Sequence, residues 1–169
     1  MKNFIVRLYN IVIICLINNF LSEPRPSTFS LKRRLLCSIG YEIGDGTKIV
    51  GPIHNTGKLM IGSNCWIGAN LTIHGNGTVI IEDNCDLGPD VTFLTGGHTI
   101  GESDRRAGLG ETYSITVCKG TWIGARSTIV CNTTIGESVV VAACSCVVKD
   151  IPSNKLVGGV PARIIRNLD

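Results

Sequence analysis

The sequence has few aromatic residues, little net charge and no long apolar run. Phe, Trp and Tyr make up 5% of its 169 residues, and 16 Lys and Arg against 13 Asp and Glu leave a net charge of +3. The Lys and Arg residues form no dense stripe of the kind that nucleic-acid-binding proteins present to phosphates. We therefore expect no nucleic-acid partner.

Glycine and β-branched residues, in contrast, are abundant. The 20 glycines and the many Ile, Val and Thr residues favour turns and β-strands over helices. A chain of 169 residues is long enough for one well-buried domain and too short for two ordinary domains with a linker. The composition thus predicts a single, all-β domain.

Eight cysteines are present, but they form no pair of CxxC motifs. The chain is also larger than the small secreted domains that depend on disulfides. We interpret most of the cysteines as small buried residues of a protein in the reducing cytoplasm.

The N-terminal stretch MKNFIVRLYNIVIICLINNFLSEP contains an apolar run from Leu8 to about Ile17. It resembles the apolar part of a signal peptide, but asparagines interrupt it, no small-residue cleavage site follows, and it is shorter than the ~20 residues of a membrane span. Its apolar residues recur at helical spacing: Phe4, Leu8, Ile11, Val12, Cys15 and Leu16. We predict an amphipathic helix that docks on the protein body or lies at a membrane surface.

A stretch with two prolines and a basic run follows this helix, SEPRPSTFSLKRRLLCSIG. Prolines and charges of this kind are typical of a linker. We therefore divide the chain into residues 1–37, the helix with its linker, and residues 38–169, the main domain.

In the main domain, apolar residues return at intervals of six in four runs. The runs are Ile43 and Ile49; Ile61, Ile67 and Ile73; Ile81, Leu87 and Phe93; and Val117, Ile123, Ile129, Ile135, Val141 and Val147. This period matches neither a helix nor an alternating strand. It predicts one short strand and one turn per repeat, so that the chain coils into a solenoid and stacks equivalent residues.

The residue two positions before many of these apolar residues is small or β-branched. Examples are Cys65, Cys85, Val91, Thr121, Ser127, Thr133, Val139 and Ser145. An inward position beside a tight corner would require such side chains. The step from Ile73 to Ile81 is eight residues and contains HGNG, so we expect two extra residues at that corner.

The repeat is interrupted over residues 94–116. It stops after Phe93 and returns at Val117, 24 residues later, which is a multiple of six. We predict a loop that is extruded from one coil, after which the solenoid resumes in register. A polar, glycine-rich excursion of this kind is where a rigid scaffold carries function.

The segment GTWIGARSTIVCNTTIGESVVVAACSCVVKDIPSNKLVGGVPARIIRNL, Gly120 to Leu168, resembles the closing pattern of the hexapeptide-repeat acyltransferases. The resemblance extends from about Ile43 to the end and is nearest to the O-acetyltransferases of maltose, galactosides and polysaccharides. It implies a left-handed parallel β-helix, a handedness that departs from the usual right-handed crossover. It also implies a homotrimer that binds acetyl-CoA in grooves between subunits.

His98, in LTGGH, falls where this family has the catalytic histidine of a T-G-x-H motif. An imidazole can take the proton of a hydroxyl as its oxygen attacks the acetyl thioester, and backbone N–H groups can stabilise the resulting oxyanion. The resemblance implies direct transfer with His98 as the general base. Without that context, His98 would be interpreted as an ordinary loop residue.

The other two histidines, His54 and His74, are interpreted as structural or exposed residues. Zinc sites on β-helices use three histidines, two of them close in sequence, whereas here the histidines are 20 and 24 residues apart. We therefore predict no metal.

The resemblance also assigns binding residues. Those for acetyl-CoA are Ala125, Ala143, Val148, Lys149, Arg163 and Arg166, of which the three basic residues could contact phosphates. Those for the acceptor or acyl group are Asn70, Asp86 and Trp122. An asparagine expected in the family two residues before Asn70 is Gly68 here, so the acceptor is left open.

We predict a cytoplasmic, acetyl-CoA-dependent O-acetyltransferase of a sugar or polysaccharide-precursor hydroxyl, with membrane association through the N-terminal helix as an open alternative. An amino sugar, serine or an antibiotic would be the acceptor in a second reading. In a third, the solenoid is a non-catalytic scaffold that binds no CoA and tolerates loss of His98.

Overall fold

The computed structural model describes residues 2–169 as two helices followed by a parallel β-solenoid of about six coils. Helix α1 spans Lys2–Phe20 and helix α2 spans Pro26–Ser38. The stretch interpreted as a linker is thus helical. Pro26 suits a first helical turn, because its missing N–H has no partner there in any helix. Phe29, Lys32 and Leu36 then follow at helical spacing and are buried.

The strands form three parallel faces, one strand of each coil in each face. Face A contains β1 (Glu42–Ile43), β4 (Lys58–Ile61), β7 (Thr78–Ile81), β12 (Ser114–Val117) and β15 (Thr133–Ile135). Face B contains β2 (Lys48–Ile49), β5 (Trp66–Ile67), β8 (Asp86–Leu87), β13 (Trp122–Ile123), β16 (Val140–Val141), β18 (Lys155–Gly159) and the antiparallel β19 (Ala162–Asn167). Face C contains β3 (Ile53–Asn55), β6 (Leu71–His74), β9 (Thr92–Leu94), β14 (Thr128–Val130) and β17 (Cys146–Val147). β10 (Gly96–Ile100) and β11 (Ala107–Thr112) form a separate antiparallel pair.

The predicted six-residue repeat is confirmed by the strand pairing, which aligns equivalent repeat residues of successive coils. Ile61 pairs with Ile81, Leu87 with Ile123, and Ile129 with Val147, one coil apart. All the apolar repeat residues from Ile43 to Val147 are buried in one core. The all-β solenoid is therefore as predicted.

The corners explain why the inward residues beside them are small. Many corners contain a residue in the left-handed region immediately before the inward position, for example Asn84 before Cys85 and Arg126 before Ser127. The chain turns sharply there from one face to the next, which leaves little room inside. The hydroxyl of Thr121 donates to the carbonyl of Gly136 over 2.8 Å, so even the polar inward residues are satisfied.

Burial of the cysteines differs from the expectation. All eight are free, but only Cys65 and Cys85 are buried, whereas Cys15, Cys37, Cys131 and Cys144 are exposed. The interpretation of most cysteines as buried residues is therefore wrong. Cys131 and Cys144 have positive φ at corners and point outward, a position that a six-residue period alone does not distinguish from the inward ones.

The two helices cover the first coil of the solenoid and satisfy its open backbone edge. Asn18 donates to the carbonyl of Ile53 and accepts from its N–H, both over 2.9 Å. The Lys32 ammonium is fully buried and donates to the carbonyl of Val50 over 2.9 Å. Without such a cap, an unpaired strand edge would be a template for aggregation.

Helix α1 is confirmed. Ile13 and Ile17 are buried against the body, at 6% and 0% exposure. The residues of the predicted apolar face, Phe4, Leu8, Ile11, Val12, Cys15 and Leu16, are all exposed, so this face does not dock on the body, the first of its two predicted roles. Neither helix of residues 2–169 has the length and apolar character that a membrane-spanning segment requires.

Candidate active site

The interruption of the repeat is a β-hairpin that leaves the solenoid at the corner between faces C and A, which we call the C–A corner. Its strands β10 and β11 are inserted between β9 and β12. This confirms that the chain leaves the solenoid here and returns in register. The predicted loop, however, consists mostly of two regular β-strands. Buried Thr95 anchors its base, because its N–H donates to the carbonyl of His74 and its carbonyl accepts from Tyr113, both over 2.8 Å.

Glycine is required at one position of this base and is closely packed at a second. A Cβ on Gly77 would overlap the carbonyl of Tyr113, and a Cβ on Gly97 would lie 2.6 Å from the Tyr113 hydroxyl and 2.9 Å from its ring. The backbone just before His98 is thus held against the ring of Tyr113. This contact places the histidine relative to the rigid solenoid.

His98 lies opposite Gly110 in the hairpin, next to a register shift. Its Nδ1 is 3.0 Å from the backbone carbonyl of Gly108. A carbonyl can only accept a hydrogen bond, so this contact places the proton of the neutral ring on Nδ1 and leaves the lone pair on Nε2. β-bulges are common next to active sites, where they re-aim a side chain or carbonyl.

A second polar pair lies beside Gly97, the residue before His98. The Tyr113 hydroxyl donates to the Glu111 carboxylate over 2.8 Å, and Glu111 is opposite Gly97 in the hairpin. This hydrogen bond raises the pKa of Tyr113. Gly108, Glu111 and Tyr113 were not among the predicted site residues, because no repeat or motif marks them. Only the folding of the hairpin brings Gly108 to His98, and Glu111 and Tyr113 to Gly97.

The residues predicted to contact acetyl-CoA occupy three places. Ala125 and Ala143 share the corner between faces B and C on adjacent coils, where the N–H of Cys144 donates to the carbonyl of Ala125 over 2.9 Å. Val148 and Lys149 are exposed at the C–A corner. That corner is two coils beyond the hairpin, about 10 Å along the solenoid axis at ordinary strand spacing.

Arg163 and Arg166 lie on β19, at the C-terminal end of face B. Both are exposed, and each bonds only a neighbouring carbonyl of its own strand, Ala162 and Asn167 respectively, among the hydrogen bonds of residues 2–169. Within one protomer the structure therefore does not bring the arginines to the corner of Lys149.

The predicted acceptor residues Asp86 and Trp122 are neighbours on the outer side of face B. Trp122 pairs in register with Asp86, and Asp86 pairs with Trp66 of the preceding coil. The three side chains line one open cleft. Trp66 was missed, although CWIG and TWIG place both tryptophans at the same position of the repeat. Phe29 of α2 packs edge-on against Trp66, with ring centroids 5.7 Å apart.

Asn70 lies apart from this cleft, at the corner between faces B and C. It has positive φ, and its side-chain amide donates to the carboxylate of Asp90 one coil away over 2.9 Å. This contact joins the corners of two adjacent coils, which is a structural role for Asn70.

The hairpin and the tryptophan cleft are on opposite sides of the protomer. The coil is triangular in section, so the C–A corner lies across the core from face B. The body of the solenoid therefore separates the base of the hairpin from Asp86 and Trp122. Among residues 2–169, no group of three His, Cys, Asp or Glu side chains is placed to hold a metal ion.

No protein-family model matches the chain. The galactoside O-acetyltransferase of Escherichia coli (strain K12) is 33% identical over 150 residues, which cover 88% of this chain and 74% of that protein. A galactoside acetyltransferase structure in complex with coenzyme A matches with 30% identity and a TM-score of 0.81, over 97% of this chain and 81% of that one.

A hexapeptide-repeat acetyltransferase from Vibrio cholerae O1 biovar eltor, complexed with acetyl coenzyme A, matches with 29% identity and a TM-score of 0.82. That match covers 100% of this chain and 90% of the other. The sequence likeness and the fold agree along most of both chains. The chain belongs to the hexapeptide-repeat acetyltransferase family and is an acyltransferase.

Proposed function

We propose that the protein transfers the acetyl group of acetyl-CoA to a hydroxyl of a saccharide, with His98 as the general base. The observation that carries the proposal is the 3.0 Å contact between His98 Nδ1 and the Gly108 carbonyl. It leaves Nε2 as the proton acceptor on an exposed ring, as a general base requires. The 33% identity with a galactoside O-acetyltransferase supports the choice of acceptor class.

His98 would act twice on the same proton. Its Nε2 takes the proton of the acceptor hydroxyl as the C–O bond of the ester forms, and it returns that proton to the sulfur as the C–S bond breaks. Acetyl-CoA supplies the activated thioester. Atoms balance without a covalent acyl-enzyme, so no cysteine or serine nucleophile is needed.

The predicted cofactor residues fit an elongated, phosphate-bearing molecule. Ala125 and Ala143 leave the backbone of their corner open, because their side chains are small. Lys149 and Arg163 are exposed, and within residues 2–169 neither forms a salt bridge. Two relatives of known structure are complexes with coenzyme A or acetyl coenzyme A. We infer that the small corner would hold the pantetheine chain and that the basic residues would meet the phosphates.

One complete site requires two copies of the chain. The hairpin that carries His98 projects from the C–A corner, whereas Asp86 and Trp122 lie on the opposite face. If both contribute to one reaction, the hairpin of one protomer must face the cleft of another. A closed cyclic assembly, such as the predicted homotrimer, would repeat the same site at each interface.

The direct test is His98→Ala, with His74→Ala as the matched control. His74 is also exposed, at the same corner one coil before the hairpin. We expect His98→Ala to lower the rate of thiol release by about 10²–10⁴-fold, the usual cost of a lost general base, while calorimetric affinity for acetyl-CoA changes little. His74→Ala should retain the rate.

The assay should compare sugars, amino sugars, serine and an aminoglycoside as acceptors. Ester formation on a sugar hydroxyl would support the proposal. Amide formation would show that the acceptor is an amine instead of a hydroxyl, with His98 still acting as the base. Absence of acetyl-CoA binding, or full activity of His98→Ala, would refute the proposed mechanism and favour a scaffold.

A further inference from the structure

Helix α1 is apolar on two sides. Ile13 and Ile17 face the solenoid and are buried, as described above. The opposite side presents Phe4, Leu8 and Val12, one turn apart, with exposures of 70%, 51% and 54%. Further exposed apolar residues extend this surface along the helix: Ile5, Ile11, Leu16 and Phe20. We call Phe4, Ile5, Leu8, Ile11, Val12, Leu16 and Phe20 the outer face of α1.

The solenoid does not require this outer face to be apolar. The hydrogen bonds that tie α1 to the first coil come from Asn18, and the packing contacts come from Ile13 and Ile17. A contiguous exposed apolar surface of this kind usually marks a place where another surface binds. Scattered single apolar residues on other parts of the protein need no such explanation.

Charge identifies the kind of surface that would bind. Residues 1–40 contain six Lys and Arg and one Glu, a net charge of +5, whereas the remaining 129 residues contain ten basic and twelve acidic residues, a net charge of −2. Helix α1 itself has no acidic residue. Arg7 and Arg34 are exposed, and neither is in a salt bridge within residues 2–169.

An apolar helix face combined with local basic charge is the combination that an anionic bilayer surface recognises. Asn18, Ile13 and Ile17 hold the C-terminal half of α1 to the body, so its outer face stays free to enter the interface with the helix lying in the membrane plane.

We propose that the outer face of α1 docks the protein on an anionic lipid bilayer, with Arg7 and Arg34 contacting lipid phosphates. This docking is independent of the proposed acetyl transfer, because no residue of α1 is in the candidate active site. It would place the solenoid close to acceptors that are carried on lipid.

The test is flotation of the full chain with vesicles of phosphatidylcholine alone or mixed with phosphatidylglycerol. We expect binding to the anionic vesicles to exceed binding to the neutral ones by at least about tenfold, and to fall in high salt because exposed charges are screened. Leu8→Ser/Val12→Ser should lower binding by about tenfold or more, since it removes two side chains of the inserted face. Arg7→Glu should weaken binding to the anionic vesicles only.

Val160→Ser is the matched control, because Val160 is 75% exposed but lies near the far end of the solenoid. It should bind vesicles as the unmodified protein does. Circular dichroism and the mass in solution should be the same for all variants. The proposal is overturned if the unmodified protein does not float, if the double variant binds equally well, or if the double variant lowers the assembly mass without vesicles, which would identify the outer face as a contact between copies.

Discussion

The solenoid body and the hairpin of residues 96–112 are specified in different ways. In the body, each apolar residue stacks on its equivalents in the adjacent coils, and Leu87, Ile123 and Val141 are at most 1% exposed. In the hairpin, every residue except three half-buried glycines is exposed, including Leu109 at 80%. The body therefore supplies stability by repetition, whereas the hairpin supplies a geometry that depends on a few contacts of Thr95, Gly97 and Tyr113.

The largest expected difference is in stability. Ile123→Ala removes a fully buried side chain from the stack and should lower the free energy of unfolding by about 2–5 kcal/mol. Leu109→Ala in the hairpin should change it by less than about 0.5 kcal/mol. Denaturant titrations of both variants measure this, and equal losses would show that the hairpin belongs to the cooperative core.

Two inactive variants should restore activity when mixed, if the site is shared between copies. His98→Ala lacks the base and Trp122→Ala lacks part of the cleft, but an interface that joins the intact halves is complete. In trimers that assemble at random from equal amounts, a site is complete when one subunit has His98 and its neighbour has Trp122. About a quarter of all sites meet both conditions, so about a quarter of the unmodified rate should return. Subunits are mixed by co-expression. A rate no higher than that of the separate variants would place both residues in the same protomer's site.

Gly97→Ala should disturb His98 without disturbing the solenoid. Its Cβ would lie 2.6 Å from the Tyr113 hydroxyl, so the backbone or the ring must shift, and we expect the rate to fall by about tenfold or more. Gly110→Ala is the matched control, because a Cβ there would meet nothing within 4 Å although the residue is directly opposite His98. Thermal denaturation checks that both variants fold alike. Equal rates for the two variants would contradict the positioning by Tyr113.

The smallest expected effect is electrostatic. The hydrogen bond to Glu111 raises the pKa of Tyr113, because it stabilises the protonated hydroxyl and because the carboxylate opposes a second negative charge. Glu111→Gln should therefore lower the pKa of Tyr113. Tyrosinate absorbance during a pH titration measures it, with Tyr113→Phe to identify the signal among the three tyrosines. An unchanged titration would show that the contact is absent in solution.

The sequence predicted the periodic part of the molecule well and the rest less well. Repetition made the predicted positions of Ile61, Leu87 and Ile129 mutually consistent, and all three are buried as expected. The N-terminal helices have no repeat to supply such a check. Helix α2 was therefore interpreted as a linker, and Ile13 and Ile17, which contact the body, were not among the residues assigned to the apolar face of α1.

By itself, the sequence determined the coil, because a six-residue apolar period can be buried only when equivalent residues stack in a solenoid. It also determined where the solenoid is interrupted and that His98 lies in the interruption. Only the tertiary structure decided which groups surround that histidine. Strand pairing across the hairpin brings the carbonyl of Gly108 to His98, and the ring of Tyr113 lies against Gly97 just before it. The separation of His98 from Trp122 follows from closing the chain into a triangle. Such contacts depend on backbone register and coil closure, which leave no pattern in the order of the residues.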